Sequence, residues 1–242
     1  MASIGIYGRL GRMGQAIAAV IPELGATFAG GADAGENPEG IARKADVLVD
    51  FSAAVAVDAH IAAARATATP ILIGTTGLSR AQHALIDAAA EEIPILQTGN
   101  TSLGVALLSR LVREAAERLG PDWDIEIVEM HHRMKVDAPS GTALMLGEAA
   151  AKGMGVEMSE VGVVGRAGLV GARAQGTIGF AALRGGRVVG DHQVIFAGEG
   201  ERIELGHRAD DRAIFARGAV KAAQWLVQQA PGRYSMDAVL GL

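Results

Sequence analysis

The 242-residue chain has no cysteine, which excludes disulfides, a thiolate zinc site and a thiol nucleophile. Aromatic residues reach only 4%, so an aromatic-rich binding surface is not on offer. Positive charge is in deficit. Lys and Arg number 22 against 27 Asp and Glu, a net charge of −5, which excludes a broad electrostatic footprint for nucleic acid or an anionic membrane. No apolar run approaches the ~18–20 residues of a membrane span. Met1-Ala2-Ser3-Ile4-Gly5 has neither a basic n-region nor a signal-type apolar segment. A cytoplasmic protein with no membrane or nucleic-acid partner and no metal is expected.

Small residues are what the chain has in excess: 46 Ala and 33 Gly, the latter nearly twice the average usage of about 7%. Half the residues are hydrophobic and a fifth are charged, and mean hydropathy is +0.25, which excludes a disordered chain. Small side chains let backbones approach closely, as in a tightly layered α/β enzyme. The length suits one large or two small domains at ~100–200 residues each.

Apolar runs rich in β-branched residues recur at Ile4–Tyr7, Thr27–Gly31, Val47–Phe51, Ile71–Ile73 and Ile93–Leu96. Ala-rich segments of helical spacing, Gly14–Leu24, Ala53–Ala66 and Ser79–Ala90, separate most of them. Nearly continuous apolar strands alternating with helices predict a doubly wound parallel sheet covered on both faces. Ser79 is a plausible cap for its helix.

From Ser102 the rhythm changes. Leu103–Leu119 reads as an amphipathic helix stopped at Gly120-Pro121, Asp124–Met130 as a strand and Ser140–Ala151 as a helix. Gly153–Gln175 is Gly-rich and aperiodic. Strands Thr177–Leu183, Val188–Phe196 and Arg202–His207 follow in a run, the first two separated by the turn signal Arg184-Gly185-Gly186-Arg187. Such a run predicts a mixed or antiparallel sheet in a second, α+β domain. A last helix, Asp211–Gln229, is expected to return to the first domain.

Strand Ile4–Tyr7 runs into Gly8-Arg9-Leu10-Gly11-Arg12-Met13-Gly14 and then a helix. Glycine permits the tight turn, and the unpaired N–H groups of the helix start favour a pyrophosphate. Asp33, after the second strand, is placed to accept from an adenosine ribose. Its carboxylate repels a 2′-phosphate, and Ala34 beside it brings no cation, so NADH is favoured over NADPH. Arg9 and Arg12 keep NADPH possible. Gly74-Thr75-Thr76-Gly77 and Gly99-Asn100-Thr101-Ser102 follow the fourth and fifth strands, on the edge where such sheets bind ligands. Contact with the nicotinamide half is expected there.

The densest chemistry lies in Glu129-Met130-His131-His132-Arg133-Met134-Lys135-Val136-Asp137-Ala138-Pro139-Ser140-Gly141-Thr142-Ala143. Two imidazoles and two cations, Arg133 and Lys135, stand beside Ser140-Gly141-Thr142, which opens a helix and so forms an anion site. That pairing suggests a small acidic substrate and proton transfer by histidine.

The chain here resembles the 4-hydroxy-tetrahydrodipicolinate (dihydrodipicolinate) reductases. The family's E-x-H-H-x-x-K-x-D-A-P-S-G-T-A signature stands at Glu129 to Ala143, and its G-x-x-G-R-M-G motif at Gly8 to Gly14. Blocks around Gly74-Thr75-Thr76-Gly77, Arg184-Gly185-Gly186, Gly190-Asp191-His192 and His207-Arg208-Ala209 also match. The resemblance implies a reductase of a cyclic imine dicarboxylate in lysine biosynthesis. It implies His131 as general acid/base and Lys135 as proton donor, with His132, Gly141 and Thr142 on a substrate carboxylate. Gly8 to Met13, Asp33, Gly74 to Thr76 and Gly99 to Ser102 would hold the cofactor. The second carboxylate clamp is open, with Arg212 a candidate. A homotetramer built through the second-domain sheets is also implied. Residues 1–102 and 211–242 are then expected to form the dinucleotide-binding domain, and 103–210 the substrate-binding and oligomerisation domain. Two departures stand out: Ala34 occupies a position where some members carry Arg, and Thr101 one where a large side chain is frequent. Rival readings are a homoserine or aspartate dehydrogenase and a non-catalytic NAD(H)-sensing regulator. Neither accounts for the paired histidines beside the helix start.

Overall fold

In the computed structural model, which describes residues 1–242, the apolar runs of the first hundred residues become parallel strands. The order is β1 (Ser3–Tyr7), α1 (Arg12–Val20), β2 (Thr27–Ala32), α2 (Pro38–Ala42), β3 (Val47–Asp50), α3 (Val57–Ala66), β4 (Ile71–Ile73), α4 (Arg80–Ala90) and β5 (Pro94–Gln97). Then come α5 (Leu103–Leu119), β6 (Asp124–His131), α6 (Gly141–Met154), α7 (Met158–Val161), β7 (Gly162–Val164), β8 (Ile178–Arg184), β9 (Gly190–Ala197) and β10 (Arg202–Ala209). The chain closes with α8 (Ala213–Leu226), β11 (Gly232–Tyr234) and α9 (Met236–Leu240). It divides into two compact units, Met1–Leu103 with Ala213–Leu242, and Gly104–Arg212.

The first unit carries a six-stranded sheet in the order β11-β5-β4-β3-β1-β2, every pair parallel. All residues of β3 and β4 are buried, as a strand covered on both faces requires. Leu48, Ile71, Ile73 and Ile95 of the sheet pack with Ile61 of α3 and Ile86 of α4. Helix α8 packs on α1 and across β3, β4 and β5. Strand order turns back at β1, between β2 and β3, and the crevice at the carboxyl ends beside such a reversal is where doubly wound sheets take ligands. Ser79 caps α4 in a full capping box with Gln82.

The second unit holds a mixed sheet, β10-β9-β6-β8-β7. Strand β6 is antiparallel to β9 and parallel to β8. Ile125, Ile127, Ile178, Phe180, Val194 and Phe196 form a core with Leu108, Val112 and Ala116 of α5 and Leu146 and Ala150 of α6. Small residues allow the close layering. A Cβ on Gly147 would stand 2.5 Å from the ring of Phe180, and one on Gly153 2.8 Å from Ala116 Cβ.

Sequence and structure differ at the small elements. Helix α2 spans five residues and α9 another five, while β7 and β11 span three each, all too short to show a period. The turn at Arg184–Arg187 does not join paired strands, because β8 and β9 lie on opposite sides of β6. Their connection passes the end of β6, where Gly185 N donates to His131 O at 2.9 Å.

Candidate active site

Alternation along β6 puts Ile125, Ile127, Glu129 and His131 on the buried face. The first two are core. The last two meet a polar cluster because their strand partners are also polar: His192 on β9 lies opposite Glu129, and Arg184 on β8 opposite His131. Glu129 is 1% exposed, and a buried carboxylate is stable only when its oxygens are satisfied. Four donors do so. His131 Nδ1 stands 2.6 Å from Oε2, the Arg184 guanidinium donates to both oxygens at 2.8 Å, and Ser140 N donates to Oε1 at 3.1 Å. Burial alone would raise the Glu129 carboxyl; Arg184 and His131 outweigh it and hold the group below its ordinary range. A carboxylate only accepts, so His131 donates through Nδ1 and its Nε2 is left for other chemistry. Gly190 faces that nitrogen. A Cβ there would lie 3.0 Å from Nε2.

Ser140 caps α6, its hydroxyl accepting from Ala143 N at 3.2 Å. Gly141 and Thr142 are the first helical residues, as the sequence predicts. The same hydroxyl lies 3.1 Å from His192 Nε2, and the His192 ring meets His131 edge-on at 5.1 Å. His192 Nδ1 is buried without a partner. Burial foremost, then the neighbouring His131, push the His192 imidazole down to about 4 from 6.5. Unfolding therefore takes up a proton between those values, and stability is expected to fall as pH drops through that window. The loss attributable to this residue is about 3 kcal/mol. Urea midpoints of wild type and His192→Gln from pH 7 to 4 test it; parallel pH dependences in the two proteins would remove His192 as the cause.

The loop after β6 holds the other predicted groups. Lys135 Nζ contacts both Asp137 oxygens at 2.8 Å, so this cation is paired within its own loop. His132 Nε2 lies 3.1 Å from Arg212 Nη2. Partial desolvation and the Arg212 cation lower its proton affinity, so His132 accepts from the guanidinium.

In the first unit, the loop after β1 is shaped by glycine. Gly8 has φ +78°, and a Cβ there would lie 2.6 Å from Phe51 O; a Cβ on Gly14 would run into Gly8 O and stand 2.8 Å from Arg9 Cα. Gly11 precedes α1 and offers no side chain to the helix start, leaving the first-turn N–H groups of Arg12, Met13 and Gly14 for an anion. Leu10 N donates to Asp33 Oδ1 at 3.0 Å and Arg9 Nε to Oδ2 at 3.1 Å. Thus Asp33 meets the glycine loop through both oxygens, with Arg9 as the cation at its carboxylate.

Of the later loops, Thr75 is buried and its hydroxyl donates to Asp50 at 2.9 Å; Thr76 lies beside Gly99, where a Cβ would come within 3.8 Å of its methyl. Asn100 Oδ1 accepts from Ser102 N at 2.9 Å. Thr101 and Ser102 are each 2% exposed, and the Thr101 hydroxyl donates to Phe215 O of α8 at 2.7 Å. The Thr101 side chain turns inward, so only its backbone is left for a ligand.

Sequence reasoning assigned no role to Glu129, Arg184, His192 or Gly190, although all stand in motif blocks. It also missed Asp50, a buried carboxylate that gathers Ser52 N and Oγ, Thr75 Oγ1 and His60 Nδ1 within 2.6–2.9 Å. The acid ending the apolar run Val47-Leu48-Val49-Asp50 was its signal.

Comparison with known proteins agrees with this architecture. A solved dipicolinate-bound dihydrodipicolinate reductase from Paenisporosarcina sp. TG-14 shares the fold, with a TM-score of 0.75 at 21% identity over 97% of both chains. An aspartate dehydrogenase from Thermotoga maritima shares it more loosely, at a TM-score of 0.51 and 10% identity over 95% of this chain and 98% of that one. A 4-hydroxy-tetrahydrodipicolinate reductase from Zymomonas mobilis is 54% identical, covering 99% of this chain and 97% of its own. One from Parvibaculum lavamentivorans is 49% identical, covering 98% and 97%. The family model for the N-terminus of dihydrodipicolinate reductase matches residues 2–101 and that for its C-terminus residues 104–240, so the chain belongs to the dihydrodipicolinate reductase family.

Proposed function

We propose that this chain is a 4-hydroxy-tetrahydrodipicolinate reductase, which reduces a cyclic imine dicarboxylate to tetrahydrodipicolinate in lysine and diaminopimelate biosynthesis. The observation that carries the reading is the buried Glu129 and the four donors it gathers, His131 and the first amide of the Ser140 cap among them. A reduced nicotinamide dinucleotide, when bound, supplies the hydride to a ring carbon conjugated with the imine. The enamine that results needs a proton, and His131 is the proposed donor through Nε2. Lys135 is proposed to stabilise developing negative charge and to give a proton once a substrate carboxylate competes with Asp137 for its ammonium. The amides of Gly141 and Thr142, with Ser140 and His132, are proposed to hold one substrate carboxylate, and Arg212 the other.

Gly8, Arg9, Leu10, Gly11, Arg12, Met13 and Asp33 are proposed to hold the adenosine and pyrophosphate, and Gly74, Thr75, Thr76, Gly99, Asn100, Thr101 and Ser102 the nicotinamide half. The glycine cradle at Gly8 and Gly14 fits such a group, since any Cβ at either position meets backbone. Gly14→Ala is therefore expected to weaken NADH binding at least about tenfold, the effect of about 1.4 kcal/mol at the pyrophosphate. Fluorescence titration measures it, and an unchanged Kd would reject this loop as the pyrophosphate site.

NADH is the favoured cofactor on the charge of Asp33, with NADPH accepted. Assembly as a homotetramer is also proposed, through the sheet face of the second unit bearing Val128, Met130 and Ile195, opposite the buried alternation of β6 and β9. Light scattering on the purified protein tests it. The cytoplasmic address belongs to the same reading and rests on composition; no helix is long and apolar enough to cross a membrane. The test of function is NADH oxidation at about 340 nm with enzymatically generated imine substrate, against homoserine and aspartate controls. Turnover of a control and not of the imine would transfer the chain to the rival dehydrogenase reading.

A further inference from the structure

Asp50 ends β3 at the carboxyl edge of the six-stranded sheet and is wholly shielded from solvent. Its donors come from α3 and from the loops of that edge. Oδ2 is held from α3, 2.8 Å from His60 Nδ1. The His60 ring is itself fixed, stacked on Tyr7 of β1 at 3.9 Å with the planes 10° apart. That leaves Oδ1 for the loops, where it accepts from Ser52 N at 2.9 Å, Ser52 Oγ at 2.6 Å and Thr75 Oγ1 at 2.9 Å. The Thr75 side chain donates to Asp50 and also accepts from Ser52 N at 3.0 Å, a double task that needs a hydroxyl. Beside it, Gly74 N donates to Asp50 O at 2.8 Å, and a Cβ on Gly74 would run into the Phe51 ring. Thr75 is the last buried residue before the exposed pair Thr76 and Gly77.

We propose that Asp50 is a positioning residue for the cofactor: acting through Thr75, it sets where the exposed Thr76-Gly77 turn meets the nicotinamide half. The proposal rests on the reading of Gly74–Thr76 as part of the dinucleotide site. The Thr75 hydroxyl is spent on Asp50 and Ser52, so what this residue offers a ligand is backbone. Backbone made of small residues has to be placed from behind, because its own side chains give it little to pack with. A buried polar network whose members are all satisfied holds one arrangement, and a loop ordered in advance binds with less loss of freedom. The side chains that Asp50 holds lie outside Gly8–Gly14 and Asp33, so the adenosine half is not what it positions.

The test is calorimetric titration of the full-length protein with NADH and with ADP-ribose, which lacks only the nicotinamide. Thr75→Val is expected to weaken NADH by about tenfold or more, and ADP-ribose by no more than about twofold. Thr75→Ser keeps the hydroxyl and should recover most of that loss. Asp50→Asn keeps one oxygen for the loops but gives up charge-assisted bonds, so NADH should weaken by about three- to tenfold with ADP-ribose again held within about twofold. Equal weakening of both ligands by either variant, or NADH indifferent to either, overturns the proposal while leaving the dinucleotide site intact. A wild-type protein that binds NADH no tighter than ADP-ribose, or binds neither, overturns the reading of the Gly74–Thr76 loop and the proposal with it.

Discussion

Replacing His131 by alanine is expected to lower kcat by roughly 10²–10⁴-fold, the usual weight of a general acid, with the affinity for NADH unchanged. The geometry gives two grounds. Glu129 Oε2 stands 2.6 Å from His131 Nδ1, which fixes the ring and so the direction of Nε2. Second, Gly190 keeps the approach to Nε2 free of a side chain. The variant should fold, because Glu129 retains Arg184 on both oxygens and Ser140 N on one. Its buried charge is therefore not abandoned. Steady-state kinetics with generated substrate, alongside an NADH titration, separates the two effects. Wild-type kcat in His131→Ala would remove it as the proton donor; a parallel loss of NADH affinity would mean that the variant damages more than proton transfer.

Much of this was legible in the chain because the relevant physics is local. Buried parallel strands read as continuous apolar runs at β1, β3 and β4, and a helix start announces itself by its cap, at Ser79 and Ser140 alike. The parts that escaped depend on non-local pairing. A turn signal reports that two strands follow one another, not that a third lies between them, so the separation of β8 from β9 by β6 was invisible at Arg184–Arg187. Arg184 and His192 reach Glu129 and Ser140 only through sheet register, across 55 and 52 residues of sequence. The direction of the Thr101 side chain is non-local in the same way. A small hydroxyl residue on a ligand-edge loop looks the same whether it faces a ligand or the interior, and what turns it inward is the carbonyl of Phe215, 114 residues later. The ion pair of Arg9 with Asp33 is non-local too, joining residues 24 apart in sequence.

The second large effect is expected from Glu129→Gln, a change of one atom. All four partners of the carboxylate are donors, and it offers two accepting oxygens. Glutamine has one accepting oxygen and an NH2 that must face donors on the other side. If the NH2 faces His131, the ring must present a bare Nδ1 and cannot become imidazolium while that contact lasts. If it faces Ser140, the first amide of the cap loses its acceptor and Arg184 loses half of its fork. In either arrangement kcat is expected to fall by about 10–10³-fold, less than for His131→Ala, because the imidazole remains in place. Stability is expected to fall by about 3 kcal/mol, the low end for breaking a buried ion pair, since Arg184 keeps the carbonyls of Leu183 and Asp137. A purely structural role would lower stability without moving the pH profile. A positioning role predicts more. Loss of the negative charge disfavours the imidazolium, so the decline of kcat with rising pH should begin at lower pH than in wild type. Glu129→Asp, which keeps the charge, should restore the position of that limb even where it does not restore the full rate. A Glu129→Gln enzyme that is less stable but retains the wild-type profile would reduce Glu129 to a structural ion pair, and leave His131 to be oriented by its ring contact with His192 alone.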